Sequence, residues 1–451
     1  MIAQFLKNVI LTAISAASVA AGISPQPDAL PRKPALGTQF EQGTTKVSRV
    51  IAGSSAEGAL KVGDEITMIG NQKVENAPSL VQILNGCLSG RDYVFTVKRE
   101  GKEELVTVHL KERAREVSDK YDVIYDHVVS NGNKIRTIVT KPKKEGRFPV
   151  FMMMQGLGEF SMDYDLSRGG AYSQFVSHFA NKDFVTIRVE KPGMGDSEGG
   201  PYVETDFWTE GDVYRQALKA VKQYPFVDPD QVFIYGHSMG GLYGPVIVGE
   251  QPIAGFIAAS TVYKTWTEYW LENVRRQNVL GGMSRVAVDQ DEKDLALMSA
   301  WILTEKRDPQ ELIKLFPRLE TKVNQMVVDG KFLGRTIDFW TQLAGMNYAE
   351  NWSKVTSPTL VLWGQWDFVS TEEDHHMIVK ALNAKTPGLA EYVRIDNANH
   401  GFTECTSYED AFASFRVARP FRTEIITVID QWIEKTRKIR KNAEPGTPSP
   451  Q

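Results

Sequence analysis

The sequence predicts an α/β fold, and three parts of the chain support that prediction. Residues 231–248 are an apolar run, a Gly-His-Ser-Met-Gly turn and a small-residue segment, which is the order strand, sharp turn, helix. Residues 358–395 give a strand-like run, a polar helical stretch and a second strand-like run. Residues 149–154 and 184–189 are further apolar runs, each followed by a glycine-rich loop. This alternation favours a mostly parallel sheet flanked by helices.

The turn at Gly236–Gly240 marks Ser238 as a candidate nucleophile. Glycines on both sides of a serine, between a strand and a helix, leave room for a tight backbone that lifts the hydroxyl above the sheet. The pattern resembles the nucleophile turn of α/β-hydrolases, in which the chain order is serine, acid, histidine. A serine hydroxyl is a weak nucleophile at neutral pH, so it needs a neighbouring base.

The base in that order is predicted to be His400. The chain has seven histidines, and those that follow Ser238 are His375, His376 and His400. His400 lies in a loop directly after the strand-like run 391–395, where a catalytic base is expected. His375 and His376 lie in the polar helical stretch, and we expect them on a solvated helix face.

The acid is predicted to be Asp367, in the turn after the strand-like run 358–363. The interval from Asp367 to His400 has room for one helix and one strand. Asp374, inside the helix, and Asp396, just before the histidine loop, are weaker candidates. In such a triad the acid holds the imidazole tautomer and stabilises the imidazolium that forms when serine loses its proton.

The tetrahedral intermediate of this chemistry needs hydrogen-bond donors for its oxyanion. One expected donor is the backbone N–H of Met239, the residue after the nucleophile. The other should come from the Gln-Gly-Leu-Gly loop at 155–158, which follows the strand-like run 149–154. Leu157 is preferred and Gly156 is the alternative, and a plain glycine turn remains the competing interpretation of this loop.

Together these motifs resemble the α/β-hydrolase superfamily over about residues 120–437. Residues 190–199 are similar to the family's Arg-Gly-x-Gly-x-Ser turn, but Lys191-Pro192 replaces the arginine. The resemblance implies a serine hydrolase that cleaves carboxylic esters through an acyl-enzyme and needs no cofactor. The same triad also serves prolyl-oligopeptidase-like peptidases, thioesterases and acyltransferases. A non-enzymatic binding protein on the same scaffold is a further alternative.

Residues 35–112 resemble the PDZ domains of bacterial envelope proteases. The strand-like run 46–51 precedes Gly-Ser-Ser-Ala at 53–56 and Gly-Asp at 63–64, with a serine where those domains usually have proline. A helix from 79 and a hairpin within 93–110 follow. The resemblance implies that a peptide or protein C-terminus binds at a loop containing Leu36, Gly37 and Thr38. Alternatively, the domain only packs on the hydrolase and regulates access to it.

The segment 262–350 is predicted to be a helical cap over the site. It is longer than a crossover helix, and caps set substrate choice and exclude water. Its aromatic residues are expected to form the cap's own core; they are Trp266, Trp270, Trp301, Phe316, Phe332 and Trp340. Arg275 and Arg276 are expected to form surface salt bridges, and the alternative is a clamp for an anionic substrate group.

Composition limits the remaining possibilities. A chain of 451 residues with 42% hydrophobic content is long enough for two domains with cores. The net charge of -4 gives no indication of nucleic-acid binding. Cys87 and Cys405 fall in different predicted domains and are expected to be unpaired. No clustering of metal-ligating residue types is evident, so no metal is expected.

The two ends of the chain predict processing and disorder. Residues 1–22 contain Lys7, an apolar run and Ser18-Val19-Ala20, which fit a signal peptide and its cleavage site. The run is short for a stable membrane span. We therefore expect export to the periplasm or the exterior, or a cytoplasmic protein if the segment is not cleaved. Residues 438–451 are predicted to be a disordered tail.

Overall fold

The computed structural model describes residues 30–41, 43–163, 166, 170–415 and 417–443. The predicted signal peptide at residues 1–22 lies outside the described residues, as does the end of the predicted tail, residues 444–451. Within the described ranges a small antiparallel domain precedes an eight-stranded, mostly parallel sheet flanked by helices. The predicted fold class is confirmed.

The strands fall into four sheets of the described chain. In chain order they are β1 Thr38–Phe40, β2 Val47–Val50, β3 Glu65–Ile69, β4 Gln72–Lys73, β5 Arg91–Arg99, β6 Lys102–Leu110, β7 Tyr121–Ser130, β8 Asn133–Pro142, β9 Phe148–Met154, β10 Val185–Val189, β11 Val227–His237, β12 Gly255–Ala259, β13 Val327–Val328, β14 Lys331–Phe332, β15 Arg335–Thr336, β16 Thr359–Gly364 and β17 Ala390–Ile395.

The α-helices of the described ranges lie between and after these strands. They are α1 Ala77–Gly86, α2 Ala171–Asn181, α3 Phe207–Val221, α4 Gly240–Glu250, α5 Trp266–Leu280, α6 Arg285–Ser299, α7 Pro309–Leu315, α8 Glu320–Met326, α9 Ile337–Ala344, α10 Tyr348–Ser353, α11 Glu372–Lys385, α12 Tyr408–Ala413 and α13 Glu424–Ala443. None of the helices in this part of the chain combines the length and apolarity needed to cross a membrane.

The first domain is built from β1 to β6 and α1. Its four-stranded sheet has the order β4-β3-β5-β6, and β1 pairs with β2 beside it. The β5–β6 hairpin turns at Glu100 and Gly101, whose φ values of 51° and 84° are those that a tight hairpin turn requires. Helix α1 begins with a capping box between Asn76 and Ser79. The core is apolar and centres on Phe95.

The second domain is organised by a sheet of order β17-β16-β12-β11-β9-β10-β8-β7. The strands from β17 to β10 in this order run parallel to one another, and β8 and β7 are antiparallel. Every residue of β9, β10, β12 and β16 is buried, because helices cover both faces of the sheet. Because β17 to β10 run in the same direction, their carboxyl ends meet at one edge of the sheet, which is the usual place for a site in such sheets.

The cap segment 262–350 contains α5 to α9 and the start of α10, and also a three-stranded sheet of β13, β14 and β15. The helical prediction is wrong for this part, because Asp329 and Gly330 adopt positive φ and make a tight hairpin turn. Four of the six named aromatics are buried in one cluster, and the Trp266 and Trp340 ring centroids lie 5.6 Å apart. Trp301 and Phe316 pack at its margin.

Helix α13 continues to Ala443, although the disordered tail was predicted to begin at residue 438. Lysine, arginine and alanine are good helix formers, and basic side chains interact favourably with the C-terminal end of a helix. The segment 438–443 is therefore the end of this helix.

A buried ion cluster joins the N-terminal segment to the second domain. The Arg32 guanidinium lies 2.7 Å from the Asp163 carboxylate and 2.5 Å from that of Asp196. Arg136 also contacts Asp196, at 3.1 Å. Burial alone would raise the pKa of Asp196, but the charges led by Arg32 hold it below its usual range. Since buried charges need partners, the segment before β1 is part of the hydrolase structure.

We predict that Arg32→Met lowers the free energy of unfolding by about 3–5 kcal/mol, because it leaves two buried carboxylates with too few cations. Urea unfolding followed by tryptophan fluorescence measures this. The control is Lys182→Met, which removes an ion pair with Asp430 whose lysine is more exposed; its expected cost is below about 1 kcal/mol. Equal losses in the two variants would contradict the role of the cluster.

Candidate active site

The turn that carries the candidate nucleophile Ser238 lies between the end of β11 at His237 and the start of α4 at Gly240. Ser238 has a φ of 54°, a left-handed conformation that a non-glycine residue adopts only when its surroundings impose it. A Cβ on Gly236 would lie 2.8 Å from the Gly240 carbonyl oxygen, and one on Gly240 would lie 2.1 Å from that of Met154. Both flanking glycines are therefore required by close backbone contacts.

The backbone of Ser238 is held on both sides. Its N–H donates to the Ala259 carbonyl at 2.9 Å, and its own carbonyl accepts from the Thr261 hydroxyl at 3.1 Å. Both partners lie at the carboxyl end of β12, the strand next to β11. The neighbouring strand thus fixes the position of the serine.

His375 supports this arrangement from α11. Its Nε2 accepts a hydrogen bond of 3.1 Å from the Thr261 N–H, while its Nδ1–H donates to the Thr371 carbonyl at 2.7 Å. The side chain is buried, and burial lowers its pKa. The expectation of a solvated face is therefore wrong for His375, because this side of α11 packs on the sheet, and it holds for His376, which is exposed.

The structure brings Asp367 and His400 into contact. The Asp367 Oδ2 atom lies 2.9 Å from His400 Nδ1, and the carboxylate also accepts from the Ser370 N–H at 3.0 Å and the Ser370 hydroxyl at 2.5 Å. Burial alone would raise the pKa of Asp367, but His400 and these hydrogen bonds hold it well below its usual range. The carboxylate is therefore ionised at neutral pH and orients the imidazole.

The two weaker acid candidates have other partners. Asp374 accepts from the Tyr263 and Lys264 N–H groups at 2.9 and 3.0 Å, so it joins α11 to the loop after β12. Asp396 forms an ion pair with Arg394 at 2.8 Å on the surface. Neither of these contacts involves His400.

The cap helix α5 holds the loop that carries Asp367. Arg276 Nε donates to the Phe368 carbonyl at 2.6 Å, and Asn273 Nδ2 donates to the Val369 carbonyl at 2.5 Å. Arg275 instead forms salt bridges with Asp289 and Glu292, as expected from the sequence. The expectation of a surface salt bridge is wrong for Arg276, because a sequence does not show which distant carbonyls a guanidinium reaches.

His237 contacts the backbone of the candidate base. Its Nε2–H donates to the His400 carbonyl at 2.8 Å, and the two ring centroids lie 5.0 Å apart. Burial, followed by the charge that His400 can carry, lowers the pKa of His237 to about 4. The ring is therefore neutral at pH 7. Chain order excluded His237 as the base, and no supporting role was predicted for it, although it directly precedes Ser238 in the turn.

The glycine loop at 155–158 lies against Ser238. A Cβ on Gly156 would approach the Ser238 Cβ to 3.1 Å. The Gly156 N–H donates to the Tyr172 hydroxyl and the Gly158 N–H to the Tyr202 hydroxyl, both at 3.3 Å. Leu157 lies between these two anchored residues, and Met239 directly precedes α4.

The three residues predicted to bind a peptide terminus lie in the first domain. Leu36 is buried in its core, Gly37 has a φ of 78°, and Thr38 begins β1. A Cβ on Gly37 would lie 2.0 Å from that of Ser54, so glycine is required there. They belong to a different sheet from the strands that carry Ser238 and Asp367.

We predict that stability falls as the pH is lowered from 6.5 towards 4. In this window unfolded chains bind a proton at His237 and folded chains do not, which contributes up to about 1.4 kcal/mol per pH unit. His237→Gln should reduce the slope of the unfolding free energy against pH, measured in urea at several pH values. The control is His376→Gln, at an exposed position, which should keep the wild-type slope. A wild-type slope in His237→Gln would refute the claim that His237 causes the loss of stability between pH 6.5 and 4.

Comparison with known proteins agrees with this architecture. Residues 166–403, more than half of the chain, match the sequence model of the family described as serine aminopeptidase, S33. Residues 34–110 match that of the PDZ domain.

Two proteins that are named esterases are similar to part of this chain. Esterase EstD of Thermotoga maritima is 22% identical over 266 residues, which are 58% of this chain and 56% of EstD. Esterase FrsA of an Enterobacter species is 27% identical over 112 residues, 25% of this chain and 24% of FrsA. The chain thus spans about half of the first relative and a quarter of the second.

The solved structure of Est1E from Butyrivibrio proteoclasticus is 14% identical, with a TM-score of 0.43, over 70% of this chain and 99% of that one. The family match, the parallel sheet and the glycine-flanked turn at Ser238 lead to one conclusion. The protein belongs to the serine aminopeptidase S33 family of α/β-hydrolases and carries an additional PDZ domain at its N-terminal side.

Proposed function

We propose that the protein is a serine hydrolase that cleaves carboxylic esters through an acyl-enzyme. Ser238 is the nucleophile, His400 the general base and Asp367 the orienting acid. The observation that supports this most directly is the 2.9 Å contact between Asp367 and His400. It lies at the sheet edge where the strained Ser238 turn also stands.

Acylation begins when His400 Nε2 takes the proton of the Ser238 hydroxyl. The tautomer is set by the Nδ1–H bond to Asp367, which leaves Nε2 free of its proton and stabilises the imidazolium that forms. The serine oxygen attacks the ester carbonyl, and the resulting oxyanion accepts hydrogen bonds from the N–H groups of Met239 and Leu157. His400 then protonates the leaving alcohol.

Deacylation repeats these steps with water as the nucleophile. His400 removes a proton from water, the acyl carbonyl again becomes an oxyanion, and the proton returns to Ser238 as the acid product leaves. The contacts of His237 to the His400 carbonyl and of Arg276 to the Asp367 loop support this cycle, because they fix the positions of the base and the acid relative to each other.

Two observations favour Leu157 over Gly156 as the oxyanion donor of this loop. The Gly156 N–H is already engaged by the Tyr172 hydroxyl, and the Gly158 N–H by that of Tyr202. Leu157 is the residue between them.

The choice of an ester rests on the relatives that are named esterases. Cleavage of peptide bonds is the second candidate, favoured by the family's description as serine aminopeptidases and by the PDZ domain. PDZ domains hold extended peptides at a sheet edge, so this domain would then recruit the substrate.

We predict that Ser238→Ala lowers the turnover of p-nitrophenyl esters by roughly 10⁴- to 10⁶-fold without unfolding the protein. A panel of esters of increasing acyl length and of aminoacyl and dipeptidyl p-nitroanilides measures this. Ser130→Ala, which removes a hydroxyl bonded to Asp212 away from the site, is the control and should retain activity. Serine-dependent cleavage of the anilides alone would replace the esterase proposal with the peptidase.

We predict that Asp367→Asn lowers kcat by about 10⁴-fold, because the amide favours the wrong imidazole tautomer. Steady-state kinetics on the best ester of the panel measures the loss. Asp396→Asn, at the exposed carboxylate paired with Arg394, is the matched control and should behave like the wild type. A nearly silent Asp367→Asn would show that another group orients His400.

A further inference from the structure

A buried lysine forms hydrogen bonds with the backbone of the glycine loop beside Ser238. Lys191 Nζ donates to the Gly156 carbonyl at 2.6 Å and to the Gly158 carbonyl at 3.3 Å. The side chain is completely buried. An ammonium withdrawn from water is costly unless it is paired and hydrogen-bonded, so this placement needs a compensating gain.

The geometry of the peptide unit relates the hydrogen bond from Lys191 to the direction of the Leu157 N–H, the proposed oxyanion donor. In a planar trans peptide the C=O of one residue and the N–H of the next point in opposite directions. The carbonyl of Gly156 and the N–H of Leu157 belong to the same peptide unit. When Lys191 holds that carbonyl, it turns the Leu157 N–H to the opposite side. A cation at the carbonyl oxygen also polarises the unit and strengthens its N–H as a donor.

An ion chain connects Lys191 to the cap. Glu210 on α3 lies 2.9 Å from Lys191 Nζ and, through its other oxygen, 2.9 Å from Arg335. Arg335 belongs to β15 of the cap and lies 3.9 Å above the Tyr202 ring. Burial alone would raise the pKa of Glu210, but the two cations hold it below its usual value. All three charged side chains are buried, and Glu210 is the shared partner of Lys191 and Arg335.

We propose that Lys191 is a positioning residue that orients and polarises the Leu157 N–H of the oxyanion hole, and that Arg335 of the cap fixes Lys191 through Glu210. The proposal rests on the proposed serine hydrolase and adds a residue to its transition-state machinery. It also gives the cap a part in catalysis: a correctly seated cap completes the ion chain that sets the donor.

The direct test is Lys191→Met in the full chain, compared with Lys264→Met. Lys264 is also a buried lysine in an ion network, with Glu272 and Glu373, and its ammonium contacts those carboxylates instead of the glycine loop. Both variants lose one buried ammonium. Loss of an oxyanion donor typically costs 10²- to 10³-fold in kcat, so misorienting one should cost about 10- to 100-fold.

We predict that Lys191→Met lowers kcat for the best ester by this factor while KM changes less than about threefold. The pH profile of kcat/KM should be unchanged, because His400 is not altered. Affinity for a trifluoromethyl ketone, whose adduct with Ser238 carries an oxyanion, should fall in parallel with kcat. Lys264→Met should keep kcat and that affinity. Equal effects of the two variants, or a loss confined to KM, would overturn the proposal.

A second pair of variants tests the coupling of the cap to the oxyanion donor, even if Lys191→Met does not fold. Arg335→Gln removes the outer charge of the chain, and Arg275→Gln removes a cap arginine paired with Asp289 and Glu292. Arg335→Gln should lower kcat about 3- to 10-fold with the same fall in ketone affinity, and Arg275→Gln should not. Equal kcat values for these two variants would overturn the coupling to the cap.

The wild type and Ser238→Ala separate this inference from the proposed function. Ester turnover that is absent in the wild type, or unchanged in Ser238→Ala, would refute the serine hydrolase itself. Serine-dependent turnover with unaltered kcat in Lys191→Met would refute only the role of the lysine.

Discussion

The close approach of α4 to the end of β9 is the constraint on which the site depends. Gly240 packs against the Met154 carbonyl and Gly236 against Gly240, at distances that no side chain would allow. This contact forces the chain to turn within a few residues and leaves Ser238 in a strained, left-handed conformation. The neighbouring strand then holds the serine by its backbone, so the strain is maintained by the packing of the whole sheet.

Buried charge organises the loops around that turn. Asp367, Glu210, Lys191 and Arg32 are all buried, and each has partners from distant parts of the chain. Because an unpaired buried charge is strongly unfavourable, each of these pairs fixes the relative position of the segments that supply it. The acid loop, the glycine loop, the cap and the N-terminal segment are joined in this way.

Two neutral histidines have a related role. Burial lowers the pKa of both His237 and His375, and each uses a ring nitrogen to hold backbone close to Ser238 or His400. A charged imidazole in either place would donate from both nitrogens, which His375 cannot do without losing the hydrogen bond from Thr261. Their tautomers are thus part of the geometry of the site.

The amino-acid sequence was enough to predict several of the parallel strands, the glycine-flanked turn at residues 236–240 and the candidates Ser238, Asp367 and His400, because these follow from local backbone chemistry and chain order. It predicted helices in the cap segment but not the small three-stranded sheet of β13 to β15. The tertiary structure decided the partners of Lys191, Arg276 and His375. Those contacts join residues far apart in the chain, and which buried charges meet depends on how the loops pack, which no local pattern records.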